Sequence, residues 1–301
     1  MLTFKINKDE TACEVTKCDK KATGTVTIPD TYSGKDVVSI KTEAFYECVN
    51  ITDVIIPNSI KQIGSYAFGC SGLTNIVIPD SVKKIGKGAF VGCTGLANIV
   101  IPDSVKSAGA AIFADCTSLK SAVLSKNMKI SGDIAFSGCT SLVSVTIPDG
   151  VKEIGWSCFQ NCTGLTSITI PKSLTKYERA FENCTGLTSI TFQKGVKIIG
   201  QEAFHNCTGL TGITIPEGVE EIKYAAFRGC TGLTSVTIPK TVVNMEHLVF
   251  EGCDKQLTVN VLGLSEIPET WDRSWRGSRG GYKCKVIWDF GGKNIVEEAG
   301  A

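Results

Sequence analysis

Hydrophobic and polar positions recur along this chain with a constant period. In the repeat that begins at Leu233, the apolar Val236 and Ile238 alternate with Ser235 and Thr237. This period of two, in β-branched residues, predicts a strand with one buried face. A proline then ends most of these strands, because proline cannot donate a hydrogen bond to a sheet. A second apolar pair, three residues apart, follows each proline and predicts a back wall made of a short extended segment or a 3₁₀ turn.

Ten phenylalanines mark the period, and successive members are 22 or 23 residues apart. They are Phe45, Phe68, Phe90, Phe113, Phe136, Phe159, Phe181, Phe204, Phe227 and Phe250. A constant period of this length is typical of a solenoid, in which each repeat covers its hydrophobic face with the next repeat. We therefore expect each phenylalanine to stack on the one in the neighbouring coil.

A second series of residues, all cysteines, follows the phenylalanines by two or three positions. Its members are Cys48, Cys70, Cys93, Cys116, Cys139, Cys162, Cys184, Cys207, Cys230 and Cys253. Because they repeat one position of the motif, we predict ten buried free thiols and not a disulfide framework. Outside this series, Cys13 and Cys18 form a disulfide if the chain is exported, or are surface thiols.

These motifs resemble the BspA-like class of leucine-rich repeats, also called the Treponema pallidum type. The resemblance rests on the Leu-x-x-Ile-x-Ile-Pro strand, the Val-x-x-Ile-Gly back wall and the Ala-Phe-x-x-Cys step, over about residues 25 to 262. It implies an α/β-type repeat solenoid, a right-handed superhelix with a parallel β-sheet on its concave face. On the convex side we expect short strands, 3₁₀ turns or helical turns.

The repeat pattern divides the chain into three parts. Residues 1–35 do not fit the period and are predicted to form an N-terminal cap, because terminal repeats need a polar outer face. Residues 36–262 hold about ten repeats of 22–23 residues, and residues 263–301 are predicted to be a tryptophan-rich C-terminal cap and tail.

Composition argues against two classes of partner. The net charge of +1, from 31 basic and 30 acidic residues, lacks the basic surplus of a nucleic-acid-binding protein. No stretch is apolar for long enough to predict a membrane-spanning helix.

No secretory signal is visible at the N-terminus, so the protein is intracellular or a signal was removed. We expect a monomer.

The search for catalytic chemistry gives a negative prediction. The two histidines, His205 and His247, lie about two repeats apart and cannot face each other. No phosphate-binding loop, zinc-protease helix or nucleophile elbow is present in the sequence. We predict no catalytic residue, no cofactor, no metal site and no enzymatic activity.

The exposed strand positions are mostly small and neutral, so the variable positions beside them become the candidate binding residues. The residue after the strand-ending proline changes from acidic to basic along the chain, and we predict that this rim binds a partner. Its candidate residues are Asp80, Asp103, Asp149, Lys172, Lys194 and Lys240. Ordinary solubility is the alternative explanation for these charges.

Tryptophans near the C-terminus allow two interpretations. Trp271, Trp275 and Trp288 either cover the last open coil or form a platform on which a ligand stacks.

Three functions follow from these observations. The first is a non-enzymatic protein-binding or adhesion module, and the family resemblance implies a cell-surface or secreted protein that engages host or neighbouring-cell proteins or matrix. The second is an intracellular, cytoplasmic protein-interaction scaffold. The third is a carbohydrate-binding module that uses the C-terminal tryptophans.

Overall fold

Short parallel strands stack along the chain in two rows, so that most repeats contribute one strand to each row. The computed structural model describes residues 1–127, 129–130, 133–254, 256–264, 266–277, 284–290 and 293–297. The coils form a β-solenoid of about 11 turns.

The front row is built from the Leu-x-x-Ile-x-Ile segments, and we call its outward surface the front face. Its strands are β3 (Gly24–Thr27), β6 (Ile51–Ile55), β9 (Asn98–Val100), β11 (Ser121–Val123), β13 (Ser144–Thr146), β14 (Ser167–Ile170), β15 (Ser189–Phe192), β17 (Gly212–Thr214), β19 (Ser235–Ile238), β21 (Thr258–Leu262) and β22 (Lys285–Phe290). Paired strands are parallel and share one register, in which Ser121 lies between Asn98 and Ser144. Alternate residues therefore point into the core, as the period of two predicts.

The back row is built from the second apolar pair of each repeat. Its strands are β2 (Cys13–Cys18), β5 (Lys35–Ile40), β7 (Gln62–Ile63), β8 (Lys84–Ile85), β10 (Ser107–Ala108), β12 (Lys129–Ile130), β16 (Ile198–Ile199), β18 (Glu221–Ile222) and β20 (Asn244–Met245). An isolated parallel bridge joins Glu153 to Lys176 where the row has no strand.

Antiparallel pairs occur at both ends of the chain. Strand β1 (Leu2–Ile6) pairs with β2, and β4 (Thr31–Tyr32) pairs with β5. At the other end, β22 adds in parallel to β21, and β23 (Lys293–Glu297) pairs antiparallel with β22.

The Ala-Phe segment of each repeat is a turn and not a helix. Of the three forms expected for the convex side, the short strands are present, but the described residues contain no 3₁₀ or α-helix, so that part of the prediction is wrong. The reason is the direction of the N–H groups. Phe68 donates to the carbonyl oxygen of Ala89 in the next coil, and Cys70 donates to Val91, whereas a helix would use these groups internally.

Backbone conformation excludes a helix in the same place. The residues two before and two after the ladder phenylalanine have positive φ, for example Tyr66 at 54° and Cys70 at 52°. The same pair occurs in every repeat from Glu43 and Glu47 to Leu248 and Gly252. A left-handed residue at both ends of a five-residue segment interrupts any right-handed helix.

The core is the predicted phenylalanine ladder. All nine neighbouring pairs from Phe45 to Phe250 are stacked, with ring centroids 4.9 to 5.8 Å apart and ring planes within 24° of each other. The ten rings are almost completely buried. Phe250 meets the edge of Trp275, which continues the aromatic core toward the C-terminus.

The glycine of the Cys-Thr-Gly-Leu segment has a packing reason. A Cβ atom on Gly232 would lie 2.3 Å from the carbonyl oxygen of Thr208 in the preceding coil. At Gly232 the coils therefore approach too closely for a side chain, whereas Ser118 and Ser141 take the equivalent position in two other coils.

Candidate functional site

The rim consists of one residue from each front-row segment, namely the residue after the strand-ending proline or after the residue that replaces this proline. It lines one edge of the front face. All six candidate residues of the rim are exposed: Asp80, Asp103, Asp149, Lys172, Lys194 and Lys240. The structure does not bring them into one cluster, because each belongs to a different coil. They form an interrupted line that is mostly acidic in the N-terminal half and mostly basic in the C-terminal half.

Contacts between coils change the charge of this line. Lys126 takes the rim position of its own coil, and its Nζ lies 2.9 Å from Oδ2 of Asp103. The hydrogen bond from the Lys126 side chain lowers the pKa of Asp103 below its ordinary value. Ser125 replaces the strand-ending proline in this coil and keeps Lys126 in register with the rim.

A second contact links Asp149 to a coil farther along. The Nε2 atom of Gln193 donates to Oδ1 of Asp149 at 3.1 Å, and the Gln193 Oε1 atom accepts from the backbone N–H of Lys172 at 3.1 Å. Asp80 differs from both, because neither an ion pair nor a hydrogen bond to its carboxylate occurs among the described residues.

An apolar row crosses the N-terminal half of the front face. It consists of Ile55, Val77, Val100 and Val123, whose exposed fractions are 52, 71, 61 and 41%. The register pairs Val100 with Val123 and Val123 with Thr146, so the row continues in the later coils as threonine. Those threonines are Thr146, Thr169, Thr191, Thr214 and Thr237. The sequence predicted a mostly small, neutral face and did not distinguish its two halves.

The front sheet is interrupted in the middle of the apolar row. Residues 75–78 form no strand, and within the described chain their backbone groups make no hydrogen bond to β6 or β9. A groove of about 670 Å³ lies here, lined by residues of three coils including Asn75, Val77 and Asp80.

A shortened turn precedes this interruption in the same coil. Leu73 follows Phe68 by five positions, whereas Leu96 follows Phe90 by six. The missing residue places Ser71, and not Cys70, at the buried ladder position, where its Oγ lies 3.4 Å from Sγ of Cys93. Cys70 is exposed. The prediction that Cys70 is one of ten buried thiols is therefore wrong.

The other cysteines of the series are structural. Eight of them, from Cys93 to Cys253, donate from Sγ to the backbone carbonyl oxygen of a phenylalanine in the preceding coil, at 3.1 to 3.2 Å. Burial raises the pKa of Cys93 to about 11 and that of Cys139 to about 12. A thiol that stays protonated is a poor nucleophile, so these groups serve packing.

The family model for the BspA-type leucine-rich repeat region, which describes six copies, matches residues 23–142 and 132–258. The chain belongs to the BspA-type leucine-rich repeat family. Leucine-rich repeat proteins of this kind are generally protein-interaction or surface modules and are typically non-enzymatic.

Solved structures of other proteins resemble this chain. The leucine-rich repeat protein TpLRR of T. pallidum is 28% identical over 69% of this chain and 87% of its own, with a TM-score of 0.51. The pneumococcal vaccine antigen PcpA is 18% identical over 99% of this chain and 97% of its own, with a TM-score of 0.54, and this likeness shows the fold alone. A search of curated proteins finds no match.

The C-terminal tryptophans of this BspA-type chain lie inside the protein. Trp271, Trp275 and Trp288 are 3, 2 and 3% exposed, and Trp271 packs edge-on against Trp275 with centroids 5.4 Å apart. The Nε1 atom of Trp271 donates to the carbonyl oxygen of Val242 at 3.1 Å. This burial agrees with indoles that cover the last coil, and it leaves little ring surface on which a carbohydrate could stack.

The fourth tryptophan is the exposed one, and the sequence analysis missed it. Trp156 is 49% exposed, and the guanidinium carbon of Arg179 lies 5.3 Å from the centre of its ring. Its position before the left-handed turn residue directs it outward. The same repeat position holds Lys87, Asp133 and Gln201 in other coils, and this polar pattern is the sequence signal that could have marked Trp156 as exposed.

The sequence also did not predict a network of polar residues close to Arg179, the residue that contacts the Trp156 ring. Glu182 accepts a hydrogen bond from Nε2 of Gln160 at 2.8 Å and lies 3.4 Å from Nδ1 of His205, while Glu202 forms an ion pair with Arg179. Each buried carboxylate thus has a compensating partner in a neighbouring coil. Within the described residues, no group of three or more metal-ligating side chains is present.

No helix in the described part of the chain is long and apolar enough to span a membrane.

Proposed function

We propose that this chain is a non-enzymatic protein-binding or adhesion module of a cell-surface or secreted protein, which binds through its repeat surfaces and the rim. The observation that supports it most is the exposed rim, whose charges change sign along the rod while the cores of the coils stay the same. Charged rims of this kind steer and select protein partners.

Rigidity supports the same proposal. The rim residues extend from coils that are fixed by the phenylalanine ladder and by backbone hydrogen bonds between turns. A binding surface that is already ordered loses little conformational entropy when a partner binds. Membership of the BspA-type family supports the surface location, and a host, neighbouring-cell or matrix protein is the proposed partner.

The test is capture of proteins from extracellular-matrix and cell-surface preparations. We expect the wild-type chain to retain at least one protein, and the variant Asp80→Lys/Asp103→Lys/Asp149→Lys to retain less of it. The matched control is Asp36→Lys/Glu153→Lys/Glu269→Lys, which changes the net charge equally at exposed positions outside the rim. Equal retention of the captured protein by the wild type and both variants would contradict a role of the rim in binding.

Location is tested separately on the source cells. If the protein is at the surface, an antibody against the folded chain labels intact cells. Labelling only after permeabilisation would contradict the surface proposal and favour the intracellular scaffold.

A further inference from the structure

We propose that the apolar row and the groove at residues 75–78 form a docking surface for one kind of partner. The partner is a segment of another protein that presents apolar side chains beside lysines or arginines. This inference rests on the proposed protein-binding function and names the surface and the partner chemistry.

The row places four exposed apolar side chains in successive coils, and the threonines at this position in the later coils do not continue it. Val77 and Val100 are 71 and 61% exposed in neighbouring coils, whereas Thr169 and Thr214 take the same position in the C-terminal half. Threonine has the same shape and an equally good strand preference, so strand formation does not require valine here. A contiguous apolar stripe on a soluble surface marks an interaction site.

The length of the row fits a short extended segment. Four coils about 4.8 Å apart span about 14 Å, and alternate side chains of an extended chain are separated by almost 7 Å. About five residues of a partner can therefore place three apolar side chains along the row. The groove beside Val77 provides room for one of them.

Unpaired backbone groups at residues 75–78 exclude a purely apolar ligand. These groups have no protein partner among the described residues, and water can reach them through the groove. A ligand that displaced this water without offering hydrogen bonds would leave polar groups buried and unsatisfied, at a cost in free energy. A peptide has both apolar side chains and backbone hydrogen-bonding groups.

Charge complementarity indicates that the partner is positively charged where it meets this surface. Asp53 lies in β6, two residues before Ile55 of the row and on the same side of the strand, and Asp80 lines the groove. Neither carboxylate forms an ion pair with a described residue, whereas Asp103 is already paired with Lys126. Lysine or arginine on the partner would supply the missing cations.

The direct test uses synthetic peptides of about seven residues and the whole chain. The three probes are alternating leucine and lysine, alternating leucine and glutamate, and alternating serine and lysine, and binding is followed by fluorescence anisotropy. We expect the leucine–lysine peptide to bind the wild type most tightly. The leucine–glutamate and serine–lysine peptides should each bind at least about tenfold more weakly, because one lacks the cations and the other the apolar side chains.

Variants assign the binding to this surface. Val77→Thr/Val100→Thr reproduces the residues of the C-terminal half and should weaken leucine–lysine binding by roughly tenfold. The matched control Thr169→Val/Thr214→Val, made in the other half, should leave that affinity unchanged. Asp53→Asn/Asp80→Asn should remove the preference for lysine over glutamate. Circular dichroism melting confirms that each variant is folded.

Two outcomes would overturn the inference. The first is no preference for the leucine–lysine peptide, and the second is equal affinity of the wild type and Val77→Thr/Val100→Thr. If protein capture depends on the rim but not on Val77 and Val100, the proposed function stands and this docking surface fails. If the peptides bind as expected but no protein is captured, the surface stands and the proposed function fails.

Discussion

Removal of one ring from the phenylalanine ladder should have an effect confined to the adjacent coils. Phe136 is fully buried and stacks on Phe113 and Phe159, each with centroids 5.2 Å apart. Phe136→Ala deletes a buried ring and should lower the free energy of unfolding by about 3 to 5 kcal/mol. A stacked aromatic pair adds about 0.5 to 1.5 kcal/mol beyond burial.

A double-mutant cycle separates these two contributions. Phe136→Leu and Phe159→Leu each keep an apolar side chain, and their coupling energy should be about 0.5 to 1.5 kcal/mol because the rings are in contact. Phe136→Leu combined with Phe227→Leu, four coils away, should be additive within about 0.5 kcal/mol. Urea unfolding followed by circular dichroism measures all the variants. Equal coupling for the near and the remote pair would refute nearest-neighbour stacking as the basis of the core.

Further predictions concern the interrupted coil and the rim. A thiol reagent at pH 8 should react rapidly with Cys70, and Cys70→Ser should abolish that fast phase. The buried ladder thiols should react only in denaturant. A fast phase of several thiols in the folded protein would contradict the cysteine hydrogen bonds. Amide hydrogens of residues 75–78 should exchange faster than those of Asn98–Val100, and equal protection would contradict the break in the front sheet. By NMR the Asp103 carboxyl should titrate below its ordinary pKa of 3.8. Its contribution to the free energy of unfolding is therefore present above that pH and is lost as the pH falls through the lowered pKa. Lys126→Ala should raise the midpoint of this titration, and an unchanged midpoint would contradict the ion pair.

The repeat period was enough to predict the front strands, the back strands and the phenylalanine core, because these depend on which residues are apolar and how far apart they are. The Ala-Phe turns were predicted incorrectly. Their hydrogen bonds run to the next coil, and left-handed residues as different as Tyr66, Ala111 and Ile134 occupy the same turn position. No amino-acid preference identifies this first left-handed position. The second one, two residues after the phenylalanine, is mostly glycine, asparagine or aspartate, as at Gly92, Asn161 and Asp115, and this signal could have predicted it.

The candidate site was predictable only in part for a related reason. Exposed rim residues follow from the strand-ending prolines, but the pairing of Asp103 with Lys126 depends on register across a coil that lacks the proline. A single missing residue after Phe68 moved Cys70 to the surface, and the front sheet is interrupted in the same coil. Such effects arise from contacts between coils, which a motif read along one coil does not contain.

Carboxyl footprinting of the chain with a captured protein partner tests the central claim most directly. A carbodiimide reagent labels exposed carboxylates, and mass spectrometry compares each site in the free and bound chain. The proposed function predicts that labelling of the rim residues Asp80 and Asp149 falls on binding, and the docking surface predicts the same for Asp53, while labelling of Asp36, Glu153 and Glu269 stays constant. Unchanged labelling at the first three residues, with protection elsewhere on the chain, would contradict binding through the rim and the front face.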